Sequence, residues 1–259
     1  YLVGGAVRDV LLGRSVEDVD VMVEGNGVEL AERLVARFGG RSHPHEAFMT
    51  AVVHLGGDVR LDVATARTEF YRSPAALPEV ETSAMRQDLY RRDFTINAMA
   101  ITLTPGRFGD LLDFFGGQRD LERRQIRVLH SLSFLDDPTR AIRAVRFATR
   151  LDFEIAAETR QLIRVAVQEG VFSRLSGERL RDELAELVDE GHPVEALAEL
   201  EHLGVFPAVF PGVVWSVALR RFLHEVESVL AWSVLEEVYT GPRCFAFIVA
   251  LATRAGEGG

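Results

Sequence analysis

The spacing of hydrophobic positions changes near the middle of the chain. In the first half, apolar residues alternate or cluster in short runs. Val19, Val21 and Val23 alternate with Asp18, Asp20 and Met22, which predicts a strand over residues 18–24. Residues 1–3 read as a short buried strand, and 6–12 as one to two helical turns closed by Gly13. Val28, Ala31, Leu34, Val35 and Phe38 recur at helical spacing and stop at Gly39 and Gly40. Residues 51–55 and 59–64 flank Gly56-Gly57-Asp58, a hairpin signal. Residues 68–89 are polar, hold Pro74 and Pro78, and predict a long loop of the kind that is usually functional or mobile. Residues 94–101 read as a helix or helix-to-strand transition, and 111–115 as a short strand.

After about Ser131 the period becomes helical throughout, with helices predicted over 137–151, 157–169, 176–190, 194–203 and 214–239. The expected class is α+β, a mixed half followed by an all-helical half. Trp215 and Trp232 fit helix core, His43-Pro44-His45 reads as a loop, and His192, His202 and His224 lack ligand spacing. There is no internal repeat.

Composition narrows this picture. With 259 residues, 47% of them hydrophobic, the chain can bury a real core. No apolar run reaches the roughly 18 residues of a membrane span, so no membrane partner is expected. Cys244 is the single cysteine, which excludes an intramolecular disulfide and a cysteine zinc site and fits a cytoplasmic protein. The net charge of −10 argues against whole-surface binding of polyanions. Charge is uneven, however: residues 86–150 hold 12 Arg against 8 Asp and Glu. All 29 basic residues are Arg, a bias that genome composition explains as well as phosphate binding does.

Four constellations could carry chemistry. Asp18 and Asp20 project to the same side of a strand and could hold Mg²⁺, with Asp62 in "RLDVATAR" as a third carboxylate; an ordinary exposed strand face is the other reading. Gly4-Gly5 before a helix offers backbone N–H groups to phosphate, or is a plain turn. Arg8 in the first turn opposes the helix dipole, which hints at a use for it. Arg91, Arg92 and Asp93 precede an apolar stretch, where Asp93 could simply cap and the arginines simply be solvated. Asp137-Pro138 marks a helix start. Asp137 and Arg140, at i and i+3, could pair with a base edge, or Asp137 could cap an exposed basic face in which Arg140, Arg143 and Arg150 lie opposite the stripe Ala141, Val145, Ala148 and Leu151, with Arg146 flanking. Neither a Walker motif nor Gly-x-Gly-x-x-Gly is present.

Together, "LVGGAVRDVLLG…DVD", "DLYRRDFTINAMAI", "LLDFFGGQRDLERRQIRVL", "DDPTRAIRAVRFATRL" and "RLSGERLRDEL" resemble the class II tRNA nucleotidyltransferase and bacterial poly(A) polymerase family, of the DNA polymerase beta-like superfamily. The resemblance covers about residues 2–188. It implies a nucleotidyltransferase head (1–130), a helical neck (131–190) and the start of a helical body (191–259), the rest of which is expected beyond this chain, as is a natural N-terminus upstream of Tyr1. It also implies roles: Mg²⁺ on Asp18 and Asp20 with Asp62 third, triphosphate at Gly5 and Arg8, nucleotide and ribose contacts from Arg91, Arg92 and Asp93, base reading by Asp137 and Arg140, and further nucleotide contacts from Arg143 and Arg146. Glu178 and Arg181 fall in a stretch that supports the base-reading helix. Asp136 stands where the family has Glu. The implied activity is addition of CCA or the terminal A to tRNA 3′ ends from ATP and CTP, with no DNA partner. CC addition is a third activity the resemblance leaves open, and the long loop weighs against it; the wording of residues 66–81 and 136–147 is similar to A-adding and multidomain relatives. Poly(A) polymerase and a non-catalytic nucleotide- or RNA-binding module are the alternatives, and the intact acidic and basic set weighs against the second. A purely structural scaffold fits only the part after about residue 190.

Overall fold

The first two strands, β1 (Leu2–Val3) and β2 (Asp20–Val23), are separated by helix α1 (Gly5–Leu11). They belong to a computed structural model that describes residues 1–16, 18–57, 59–70, 79–236, 238–239 and 241–254. Helix α2 (Gly27–Phe38) follows, capped by the Asn26 side chain, which accepts from the Glu29 N–H at 3.1 Å. Then come β3 (Arg41–His45), β4 (Thr50–His54), β5 (Arg60–Thr65), β6 (Arg67–Phe70) and β7 (Glu79–Thr82). Helix α3 (Met85–Tyr90), one 3₁₀ turn (Thr95–Asn97), β8 (Met99–Ile101), β9 (Leu111–Asp113) and α4 (Gly117–Glu122) continue the chain. Among the described residues the chain divides into two compact units, one running to His130 and the other starting at Ser131.

The first unit is built on a seven-stranded sheet in the order β3-β4-β5-β2-β1-β8-β9. β2 and β5 run parallel and the remaining neighbours antiparallel. A parallel pair needs a long crossover, here supplied by α2 with β3 and β4. Around β2 and β5 the sheet is packed on both faces. Val21 and Val63 lie with Ala31, Leu34 and Val35 of α2, while Met22, Val3 and Ala100 lie with Met85 and Leu89 of α3. β2 is therefore apolar at three successive positions, and its polarity begins only at Asp20.

Two expectations are corrected in this unit. His43-Pro44-His45 is not a loop but part of β3, an edge strand, where the missing Pro44 N–H costs no inner ladder bond. Residues 68–89 are not a single loop: β6 and β7 pair as a hairpin and α3 follows, while residues 71–78 lie outside the described set. The start of α3 is held by a distant group, since Glu24 Oε1 accepts from the Met85 N–H at 2.8 Å. Local pattern cannot reveal such a cap.

The second unit is helical: α5 (Ser133–Asp136), α6 (Thr139–Leu151), α7 (Ala157–Gln168), α8 (Gly177–Asp189), α9 (Pro193–His202), α10 (Phe206–Val209), α11 (Val217–Leu235) and α12 (Arg243–Ala252). Ser176 and Ser216 cap α8 and α11 through their hydroxyls. Ile142, Val145, Ile163, Leu187, Leu200, Phe206 and Phe247 are among its buried side chains. Neither tryptophan is helix core: Trp215 packs on Phe206 but precedes α11 and is half-buried, and Trp232 is 55% exposed. No helix among the described residues is long and apolar enough to cross a membrane.

Candidate active site

Parallel pairing of β2 and β5 sets Asp20 directly opposite Asp62. Both carboxylates therefore rise on the face opposite α2. Asp18 stands just before β2 rather than in it, with its side chain 74% exposed. Arg60 lies between the outer two: its Nη2 donates to Asp62 Oδ2 at 3.0 Å and its Nη1 is 3.9 Å from Asp18 Oδ1. Among the described residues no three acidic, imidazole or thiolate groups converge as a ready-made cation cage. The donor set is nevertheless one a hard cation fits. Burial pushes the Asp20 carboxyl up, Arg92 pulls it down, and Asp62 and Asp18 add to the rise, leaving it above the ordinary carboxylate range. Added positive charge would relieve that excess.

The Gly4-Gly5 turn sits beside these carboxylates. Gly4 has φ +70, and a Cβ there would lie 2.7 Å from Arg92 Nη1 and 3.2 Å from Asp20 Oδ2. The positive φ thus favours glycine, and a Cβ would also displace the Arg92 guanidinium. Arg8 points inward rather than out to the turn's surface. It is 3% exposed, donates from Nε and Nη2 to Asp9, and from Nη1 to Asn97 Oδ1 at 2.8 Å. Asn97 Nδ2 in turn donates to Asp93 Oδ1 at 3.0 Å, which also accepts the Phe94 N–H. Arg8, Asn97 and Asp93 thus brace the turn from within the fold, and Asp93 is a local cap as well.

Arg91 and Arg92 are not a solvated pair. Asp88, 1% exposed, accepts from Arg91 Nη2 at 2.7 Å and from Arg92 Nη2 at 3.1 Å. Arg92 Nε is buried without a hydrogen-bond partner in the described structure. Sequence reasoning missed Asp88, although its spacing of three and four residues from the two arginines on a helix was a usable signal. It also missed Arg60, two residues before Asp62 on the same strand.

In the second unit, Asp137 Oδ1 accepts from the Thr139 N–H at 3.1 Å and its hydroxyl at 2.7 Å, so Asp137 opens α6 as expected. The same oxygen accepts from Arg179 Nη2 at 2.8 Å. Support from α8 thus comes through Arg179, while Arg181 is exposed and pairs with its neighbour Asp182. Arg140 is 5% exposed and donates to Ser133 Oγ at 2.7 Å. The arginines of α6 do not form an exposed basic face. Arg143 meets Glu183 and Arg146 meets Glu186, both on α8, and Arg146 and Arg150 meet Glu190, the residue that follows α8. The near-constant sequence offset shows α6 and α8 running side by side in the same direction. Asp136, the last residue of α5, is half-buried.

Residues 1–127 match the poly A polymerase head domain, and residues 152–215 match the probable RNA and SrmB-binding site of polymerase A. An A-adding tRNA nucleotidyltransferase of Geobacter sulfurreducens is 44% identical over 96% of this chain and 28% of its own length. A solved CCA-adding enzyme, in apo form II, superposes with a TM-score of 0.91 at 44% identity, covering 96% of this chain and 59% of that one. The Thermotoga maritima CCA-adding enzyme complexed with tRNA gives 0.83 at 42% identity, over 96% of this chain and 57% of that one. The chain thus spans between about a quarter and three-fifths of the length of these three proteins. Sequence motifs, head topology and close structural likeness agree: this chain belongs to the tRNA nucleotidyltransferase and poly(A) polymerase family.

Proposed function

We propose that this chain carries the catalytic part of an enzyme that adds nucleotides to tRNA 3′ ends, with ATP as substrate for the terminal A. The observation that carries this reading is the in-register pair Asp20 and Asp62 beside a glycine turn and Arg92, in a chain 44% identical to an A-adding enzyme. In the reaction the RNA 3′-hydroxyl attacks the α-phosphate, a new P–O bond forms, and pyrophosphate leaves with the old one. Mg²⁺, which Asp18 and Asp20 would hold with Asp62 third, supplies charge neutralisation at the phosphates when bound. The N–H groups of the Gly4-Gly5 turn meet the triphosphate, with Gly5 opening α1 and Arg8 bracing it. Arg92 contacts the nucleotide through the accessible part of its guanidinium, and Arg91 and Asp93 complete that side. Asp137 and Arg140 are assigned to the base edge, the carboxylate accepting from an exocyclic amine and the guanidinium donating to a ring acceptor. Arg143 and Arg146 are assigned to that helix's electrostatics, held by α8. The expected division is a head over 1–130, a neck over 131–190 and the start of a body over 191–259, in a cytoplasmic protein.

The test is incorporation of labelled ATP or CTP into tRNA lacking CCA, tRNA ending in CC, and an unrelated RNA. Extension of the CC-ended tRNA by ATP alone is the expected result. Completion of all three nucleotides would assign full CCA addition, and long tails on any RNA would assign poly(A) polymerase. Binding of ATP without any incorporation would leave a non-catalytic module.

A further inference from the structure

Asp88 is an acidic side chain buried in the first unit for which the proposed chemistry has no use. Its two oxygens are divided between different parts of the unit. Oδ2 accepts from Arg92 Nη2 at 3.1 Å. Oδ1 accepts from Arg91 Nε at 3.0 Å and Nη2 at 2.7 Å, and from the backbone N–H of Arg67 at 3.2 Å. Arg91 Nε also donates to the Arg67 carbonyl at 3.1 Å. The first residue of β6 is thus held at both of its backbone groups, by Asp88 of α3 and by Arg91 just after that helix. The Arg67 guanidinium then donates to the Phe48 carbonyl, just before β4. Arg92, held by the other oxygen, stands against Gly4 and is an electrostatic neighbour of Asp20. A buried carboxylate is costly unless its oxygens are used. Met85 and Leu89 on the same helix show that apolar side chains pack well here. Here the charge ties two remote features together: the arginine facing the carboxylates and the root of the β6–β7 hairpin.

We propose that Asp88 is a positioning residue that orients Arg92 toward the bound nucleotide and couples it to Arg67 at the hairpin root, so that nucleotide at Arg92 is felt at β6. This rests on the reading of Arg92 as a nucleotide contact. The test compares Asp88→Asn and Asp88→Glu with the unmodified chain in ATP incorporation into CC-ended tRNA, with hydrogen exchange of the peptide carrying the Arg67 amide measured with and without ATP. Asp88→Asn is expected to raise the KM for ATP roughly 10–100-fold, as loss of a carboxylate that orients a ligand-contacting group does, with a smaller change in kcat and none in the KM for tRNA. Asp88→Glu, which keeps the charge, is expected to recover part of the loss. ATP is expected to slow exchange at Arg67 in the unmodified chain and not in Asp88→Asn. A folded Asp88→Asn protein with unchanged KM for ATP overturns the proposal. Should that variant fail to fold, indifference of the Arg67 amide to ATP in the unmodified chain overturns it instead. An unmodified chain that incorporates neither ATP nor CTP overturns the functional reading beneath it, a separate result.

Discussion

Asp20 is the residue on which the site turns, because one half-buried carboxylate there answers to two other carboxylates and two arginines. Asp20→Asn keeps the shape and removes the charge, so incorporation is expected to fall on the order of 10³-fold or more, while the unfolding midpoint in urea at neutral pH rises, because a carboxyl held above its ordinary range is a charge the folded state bears at a cost. Gly4→Ala acts through the backbone. It forces a Cβ into positive φ and against Arg92, and is expected to cost about 1–3 kcal/mol of stability, read by urea unfolding, together with a raised KM for ATP. Asp88 carries a pH signature. Burial alone would raise its carboxyl, but Arg92 and Arg91 more than reverse this, so it lies below the ordinary range in the folded chain. The unfolded carboxyl titrates near ~3.9. The folded state therefore binds the proton less readily, and the contribution is present above ~3.9 and lost as pH falls through the folded value. The stability gap between the unmodified chain and Asp88→Asn, about 3 kcal/mol for a broken buried pair, should be flat at neutral pH and shrink below about pH 4; a gap that widens on acidification would contradict the assignment. Asp18, Asp20 and Gly4 were visible in the sequence because strand and turn chemistry are local. Arg8 was visible as an oddity, but its inward direction was not, since Asn97 is remote in sequence.

At the level of elements, α6 and α8 show how far periodicity reaches. The spacing of apolar residues found both helices, yet it left the arginines of α6 between a base contact and an exposed basic face, and offered no protein partner for them. Their partners, Glu183, Glu186 and Glu190, lie about forty residues on. No window on α6 alone contains them. A double-mutant cycle on Arg143 and Glu183 is expected to give a coupling of about 0.5–1 kcal/mol, because both side chains are only partly exposed. Zero coupling would mean that the two helices are held by apolar packing alone. Strand β3 was missed for a related reason: Pro44 and two histidines lack strand periodicity, and only pairing with β4 makes them a strand. The β6–β7 hairpin hid in a polar stretch because its strands form a separate two-stranded sheet with little core to mark them.

For the molecule as a whole, charge separates from function. The chain is acidic overall, with its arginines concentrated in residues 86–150. If the chain binds tRNA as proposed, this charge balance favours contact with few RNA phosphates. With two or three of them, tRNA affinity is expected to fall about tenfold between 50 and 200 mM salt, measured by filter binding; a fall of several thousandfold would require a far more extensive basic surface. What the sequence determined by itself is what short-range chemistry encodes: the mixed half and the helical half, the glycine turn, the paired aspartates and the capped start of α6, for each depends on neighbours within a few residues. Family membership was legible for the same reason, through long contiguous motifs. What only tertiary structure decided is every pairing made across the chain. The parallel register that sets Asp20 against Asp62, the packing of Arg92 onto Gly4, the grip of Asp88 on Arg67 and the bond from Arg179 to Asp137 join residues far apart in sequence. Their partners are fixed by sheet order and helix packing, which follow from burying both faces of a sheet and one stripe of each helix at once.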